Sequence, residues 1–125
     1  MGLFCSTPAV ALSRNVSSKR AFDMLVSGDF IDADTALEWG LLSGVVADDD
    51  LDAAVADKVE QILSKSPAAV RFGKSMFHAQ RQMSLADAYD YAGDVMADNM
   101  LHPDAGEGID AFLAKRQPVW KQPGR

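Results

Sequence analysis

The chain has few of the residues that build metal centres and cross-links. Its 125 residues include one cysteine, Cys5, and two histidines, His78 and His102. A lone cysteine permits no internal disulfide and suits a reducing compartment, so a cytoplasmic location is expected. The histidines lie far apart in sequence, so no metal site is expected, and each reads as a surface or capping residue. Positive charge is also scarce. Twelve Lys and Arg against 18 Asp and Glu leave a net charge of −6, which argues against nucleic acid as a partner, since that needs a basic footprint. No apolar run approaches membrane-spanning length. Met1–Val10 lacks the basic and apolar regions of a secretory leader, so neither a leader nor a membrane partner is expected. No glycine-rich phosphate loop is present, because the glycines are scattered as helix ends.

The patterns that do occur are helical, and the fold expected from them is mainly α. The stretch from His102 to Arg116 reads as a short amphipathic helix. Pro103 suits a first helical position, and Asp104 and Glu107 favour the positive end of the dipole. Lys115 and Arg116 are expected in the last turn, where positive charge is favourable. Ile109, Phe112 and Leu113 share a face. Gly106 and Gly108 cost helix stability, so this helix is expected either to approach something closely or to move, closing over a ligand. Upstream, Thr7-Pro8 reads as cap and first turn of a helix over Ala9–Arg14. Ser17-Ser18 cap a second helix whose buried face is Phe22, Leu25 and Val26, and Gly28 ends it. Asp32 caps Ala33–Trp39, which Gly40 closes. Val45-Val46 reads as a short extended piece, and Met1–Cys5 as the end of a buried strand. Leu51, Val55, Val59, Ile62 and Leu63 stripe a helix over Leu51–Lys65. Ser66-Pro67 starts the next, through about Gln82, and Ser84 caps the longest, running to Leu101.

Candidate chemistry is sparse, and each candidate has a plain structural reading beside it. Asp48-Asp49-Asp50 precedes a helix and reads as capping; it lacks the spaced oxygens and glycine of a calcium loop. Cys5 sits in an apolar segment, so a buried, unreactive thiol is expected. Met76, Met83, Met96 and Met100 read as core fillers, or as the lining of a pocket for an acyl chain. Lys115-Arg116 is a pair of charges at a helix C-terminus, or a site for phosphate. No pair of carboxylates can be picked out for acid–base work, so catalytic residues stay unknown.

Three stretches together carry a resemblance to a family. Leu25-Val26-Ser27-Gly28-Asp29-Phe30-Ile31-Asp32-Ala33, with Ala36, Trp39-Gly40-Leu41-Leu42 and Val45-Val46, is similar to one segment of the enoyl-CoA hydratase/isomerase (crotonase) superfamily. Ile62 to Lys74, with Ser66-Pro67-Ala68-Ala69-Val70, resembles a second. Glu107-Gly108-Ile109-Asp110-Ala111-Phe112-Leu113-Ala114-Lys115-Arg116 resembles a third. They occur in the family's order and span nearly the whole chain. Gly2–Pro8 resembles the branch whose members are called enoyl-CoA hydratase domain-containing proteins.

The resemblance implies the C-terminal helical, trimerising part of the α/β ββα-spiral (ClpP/crotonase) fold. On it, residues 1–48 would end the spiral core, 49–116 would form the trimerisation and lid region, and 117–125 a tail. It implies an acyl-CoA thioester as ligand, with no separate cofactor because coenzyme A belongs to the substrate. It further implies a homo-oligomer, a trimer or dimer of trimers, with an N-terminal half outside this chain. In the family two backbone N–H groups polarise the thioester carbonyl while glutamates move protons, a logic that needs preorganised donors and tuned carboxylates. Those segments precede the point matching Met1, so this chain alone is expected to be inactive. Carried over by position, Lys115 and Phe112 would contact coenzyme A, and Met96, Cys5 and Ser6 would border the acyl pocket. Where the family's hydratases have a proline- and glycine-rich turn, this chain has Cys5-Ser6-Thr7-Pro8, which removes backbone freedom there. The function expected is hydration of a 2-enoyl-CoA or related enolate chemistry. The alternative is a non-catalytic helical module that oligomerises or binds coenzyme A.

Overall fold

Side-chain caps set the start of four helices, at Asp32, Ser66, Ser84 and His102. A computed structural model describes residues 2–121. Those residues hold seven α-helices, one 3-10 turn and no strand. They fall into two compact units, one ending at Asp52 and the other beginning at Ala53.

The first unit contains α1 (Ser6–Asn15), α2 (Ser18–Ser27) and α3 (Ala33–Glu38). α1 starts earlier than the Thr7-Pro8 signal implies: its N-cap is Cys5, which makes no side-chain cap bond. Pro8 therefore occupies the third helical position, where its missing N–H is still among the unpaired donors of the first turn. The cap residue Ser17 precedes α2, and Gly28 ends it with φ 72°. Asp32 caps α3 by accepting from the Thr35 N–H at 2.8 Å; the Thr35 side chain, and then this N–H, hold its carboxyl below the usual range. Gly40, at φ 80°, lets the Leu41 N–H reach the Ala36 carbonyl and its own N–H reach that of Leu37. This paired closure of a helix end needs a left-handed residue. α1 packs on α2. Arg20 of α2 pairs with Glu38 at 3.2 Å and lies 4.9 Å from the Trp39 ring centroid.

Several expected features of this unit differ. Gly2–Cys5 is not a strand, and neither is Val45-Val46; Met1 lies outside the described residues. An isolated extended segment leaves its backbone groups unpaired, so a strand does not exist without a partner. Ala21 is the buried residue of α2, whereas Phe22 and Val26 are exposed. Cys5 is exposed rather than buried. Asp48–Asp50 precedes a helix as expected, but as a 3-10 turn that runs directly into it at Leu51.

The second unit is built from α4 (Leu51–Leu63, entered from the first), α5 (Pro67–Gln80), α6 (Leu85–Met100) and α7 (Pro103–Leu113). Ser66 and Ser84 cap α5 and α6, each accepting an N–H three residues on, and Pro67 takes the first turn of α5. α5 packs on α6 and α6 on α7. Among the described residues the buried apolar side chains are small: Val16, Ala21 and Ala36 in the first unit, Ala68 and Ala111 in the second, and no large side chain is fully enclosed. The stripe on α4 is well formed but open, with Leu51, Val55, Val59, Ile62 and Leu63 all exposed. The periodicity correctly marks a helix; the layer that would cover its apolar face is not among the described residues.

Candidate functional site

α7 is tied down at both ends by carboxylates of its own first turns. At its start, the His102 ring caps it. Nδ1 accepts the Asp104 N–H at 3.2 Å, which requires a lone pair on that nitrogen and puts the neutral ring's proton on Nε2. Asp104 is 5% exposed. Its Oδ2 accepts the Ser66 hydroxyl at 2.6 Å and its Oδ1 accepts the Lys121 N–H at 3.3 Å. The Ser66 hydroxyl holds the Asp104 carboxyl below the usual range, burial opposes this, and the Lys121 N–H adds to it. Ser66 thus joins two helices with one oxygen, since it also accepts the Ala69 N–H at 3.1 Å and caps α5.

Glu107 performs the second attachment. Its carboxylate takes both guanidinium nitrogens of Arg116, at 2.6 and 2.9 Å, and the Val119 N–H at 2.7 Å. These bonds, with Arg116 first, bring its pKa down to about 2, and Glu107 raises that of Arg116 in turn. Bidentate pairing of this kind fixes geometry as well as charge. Arg116 is therefore engaged within the chain and is not a free phosphate ligand. The segment after α7 is drawn back over the helix, and Trp120 donates its Nε1–H to the Ser64 carbonyl at 2.8 Å. A Cβ built on Gly108 would lie 3.5 Å from the Trp120 ring, an ordinary contact; one on Gly106 meets nothing within 4 Å. The close neighbour expected for this glycine pair is thus Trp120, and only at Gly108.

Lys115 is not in the last turn of the helix. α7 ends at Leu113, and Lys115 follows at φ 51°, the one non-glycine residue with positive φ among those described. The Arg116 N–H reaches the Ala111 carbonyl at 3.0 Å and the Lys115 N–H that of Phe112 at 3.2 Å, the same closure that Gly40 makes on α3. A left-handed conformation costs a lysine energy that glycine would not incur. Its side chain is exposed and makes no hydrogen bond among the described residues.

Between α6, α7 and the Trp120 segment lies an apolar groove of about 420 Å³, lined by residues that include Met96, Met100, Ile109, Phe112 and Trp120. Of the residues singled out from sequence, Met96, Met100 and Phe112 line this groove; all three are largely exposed, at 62%, 55% and 82%. Lys115 stands two residues beyond the end of α7. Cys5 and Ser6 belong to the first unit, at the start of α1. Trp120, Asp104 and Ser66 were not singled out as site residues, although the Ser66 cap and the first-turn Asp104 are legible. No group of three or more His, Cys, Asp and Glu side chains that could hold a metal ion occurs among the described residues. No helix among them is long and apolar enough to cross a membrane.

The family profile described as enoyl-CoA hydratase/isomerase matches residues 2–123. The chain is 45% identical over 120 residues to the rat (Rattus norvegicus) enoyl-CoA hydratase domain-containing protein 3, mitochondrial, covering 96% of this chain and 40% of that protein. It is 33% identical over 103 residues to a carnitinyl-CoA dehydratase of Citrobacter koseri, covering 79% and 40%. Among solved structures, it is similar to an enoyl-CoA hydratase of Mycobacterium smegmatis with a TM-score of 0.93 and 51% identity, covering 95% of this chain and 46% of that one. The human enoyl coenzyme A hydratase domain-containing protein 3 matches with a TM-score of 0.92 and 45% identity, covering 95% and 47%. The chain therefore spans about 40% of the length of the curated relatives it matches.

Proposed function

This chain belongs to the enoyl-CoA hydratase/isomerase family, and from that premise we propose that it supplies the helical, thioester-holding part of a protein acting on acyl-CoA. The chemistry would be hydration of a 2-enoyl-CoA or a related enolate step. The observation that carries this reading is the groove along α7, which brings Met96 and Phe112 together on a chain whose whole described length matches the family. An apolar groove with few polar groups suits an acyl or pantetheine chain. Met96 would border the acyl group, and Phe112 would pack against the coenzyme A portion. Lys115 would contact a coenzyme A phosphate. Its left-handed backbone supports that role, because strain kept where glycine would relax it is a mark of functional positions. Coenzyme A is part of the substrate, so no further cofactor is invoked.

No catalytic residue is assigned. The groove carries one carboxylate, Asp104, and that group is occupied by Ser66 and the Lys121 N–H. Crotonyl-CoA titrated into this chain should therefore bind by calorimetry without loss of the enoyl absorbance. Robust turnover by the chain alone would overturn this division of labour. Absence of binding would overturn the ligand reading.

The open faces of α4 and α7 favour a second element of the reading, assembly into a homo-oligomer, with a trimer as the state proposed. Apolar surface of this extent marks interaction faces. A non-catalytic assembly module remains the alternative, distinguished by trimers in sedimentation together with no coenzyme A uptake. The exposed, unpaired Cys5 fits a reducing compartment, and we read that as the cytoplasm; the mitochondrial designation belongs to the relatives' names.

A further inference from the structure

We propose that Trp120 is the size-setting wall of the groove, held there by a strap, Arg116–Lys121, that Glu107 and Asp104 latch onto α7. The identity of the occupant rests on the acyl-CoA reading above. Three independent attachments fix the strap. Glu107 takes the Arg116 guanidinium and the Val119 N–H, Asp104 takes the Lys121 N–H, and the Trp120 indole donates to the Ser64 carbonyl. None of these bonds is made by a residue within a helical turn of its partner, so they serve the placement of the strap rather than the helix itself. Trp120 is half-buried and lines the groove on the side of Gly108. The indole lies along α7 beside Gly108, and the ring occupies space that a longer apolar ligand would need. Removing the ring opens that space; releasing Glu107 loosens the wall without removing it. Each further methylene buried is worth roughly fourfold in affinity, so space for two of them shifts preference by more than about tenfold.

The test is calorimetric titration of butyryl-, octanoyl- and dodecanoyl-CoA, and of free coenzyme A, into the wild-type chain, Trp120→Ala and Glu107→Gln. Trp120→Ala should raise the dodecanoyl-to-butyryl affinity ratio at least about tenfold, Glu107→Gln should raise it by less, and free coenzyme A should bind all three alike. An unchanged ratio in Trp120→Ala overturns the proposal. If no thioester binds the wild type, the coenzyme A reading falls separately, and the wall is tested with dodecanoate, which needs only the groove. Tighter dodecanoate binding by Trp120→Ala then supports the wall, and equal binding overturns it. Circular dichroism of each variant verifies that the helices are retained, and the milder Trp120→Phe, expected to fall between wild type and alanine, gives a second reading of the ratio.

Discussion

Replacing Ser66 with alanine removes one oxygen that does two jobs, and the two can be measured apart. The hydroxyl accepts the Ala69 N–H at 3.1 Å, and losing such a cap costs about 1 kcal/mol. It also donates to Asp104 at 2.6 Å in a buried setting, and losing that bond adds a comparable amount, about 1 kcal/mol. Ser66→Ala should therefore destabilise the chain by about 2 kcal/mol, or lower its melting temperature by about 8 °C. In an Asp104→Ala background the second bond no longer exists, so the same substitution should cost only the cap, about 1 kcal/mol. Urea unfolding followed by far-ultraviolet circular dichroism gives both values. If Ser66→Ala costs the same in the two backgrounds, the hydroxyl does not couple α5 to α7 and the reasoning fails. A value in the wild-type background below about 0.5 kcal/mol would equally refute the cap.

Acid should weaken the latch only as pH falls below the ordinary glutamate range. The Glu107 pKa is depressed to about 2, so its contribution is fully present above the ordinary glutamate pKa near ~4.3 and is lost as pH falls towards the folded value. Fluorescence of Trp120 in a Trp39→Phe background should show that transition, and Glu107→Gln should abolish it; an unchanged acid transition in Glu107→Gln would contradict the latch. Lys115→Gly should stabilise the chain by about 1 kcal/mol, because glycine tolerates the left-handed backbone, while weakening coenzyme A binding; thermal melts and titration check the two effects, and a loss of stability would refute the strain. Gly40→Ala should have the opposite sign, costing about 1 kcal/mol in the same melts, since φ 80° strains any residue with a Cβ.

Local signals were legible at most helix ends that a single residue settles, although Thr7-Pro8 missed the start of α1 at Ser6. Asp32, Ser66 and Ser84 cap the helices they are expected to cap, and Gly28 and Gly40 turn the chain out of them. The helical character and the family follow from motifs that lie on one strand of sequence. What escaped depends on partners distant in sequence or on surfaces. Glu107 and Arg116 are nine residues apart, a spacing with no helical meaning, and they meet only because Lys115 turns left-handed, which a lysine does not advertise. Trp120 finds Ser64 across 56 residues, a partner that the reading of 117–125 as a tail partly ordered by Trp120 does not name; of that stretch, residues 122–125 lie outside the described ones. The apolar positions of α2 and α4 were correctly marked as a face but not as an exposed one, because periodicity reports which side is apolar and not what covers it. Val45-Val46 has strand-forming side chains, yet a strand is a property of two segments.

If the end of α7 holds coenzyme A, Lys115→Ala should lower the affinity of the chain for free coenzyme A. A phosphate contact from an exposed lysine predicts measurable binding by the wild type, weakened about tenfold in the variant and more weakly still as salt rises. Equal affinities for the two chains, or none for the wild type, would contradict it.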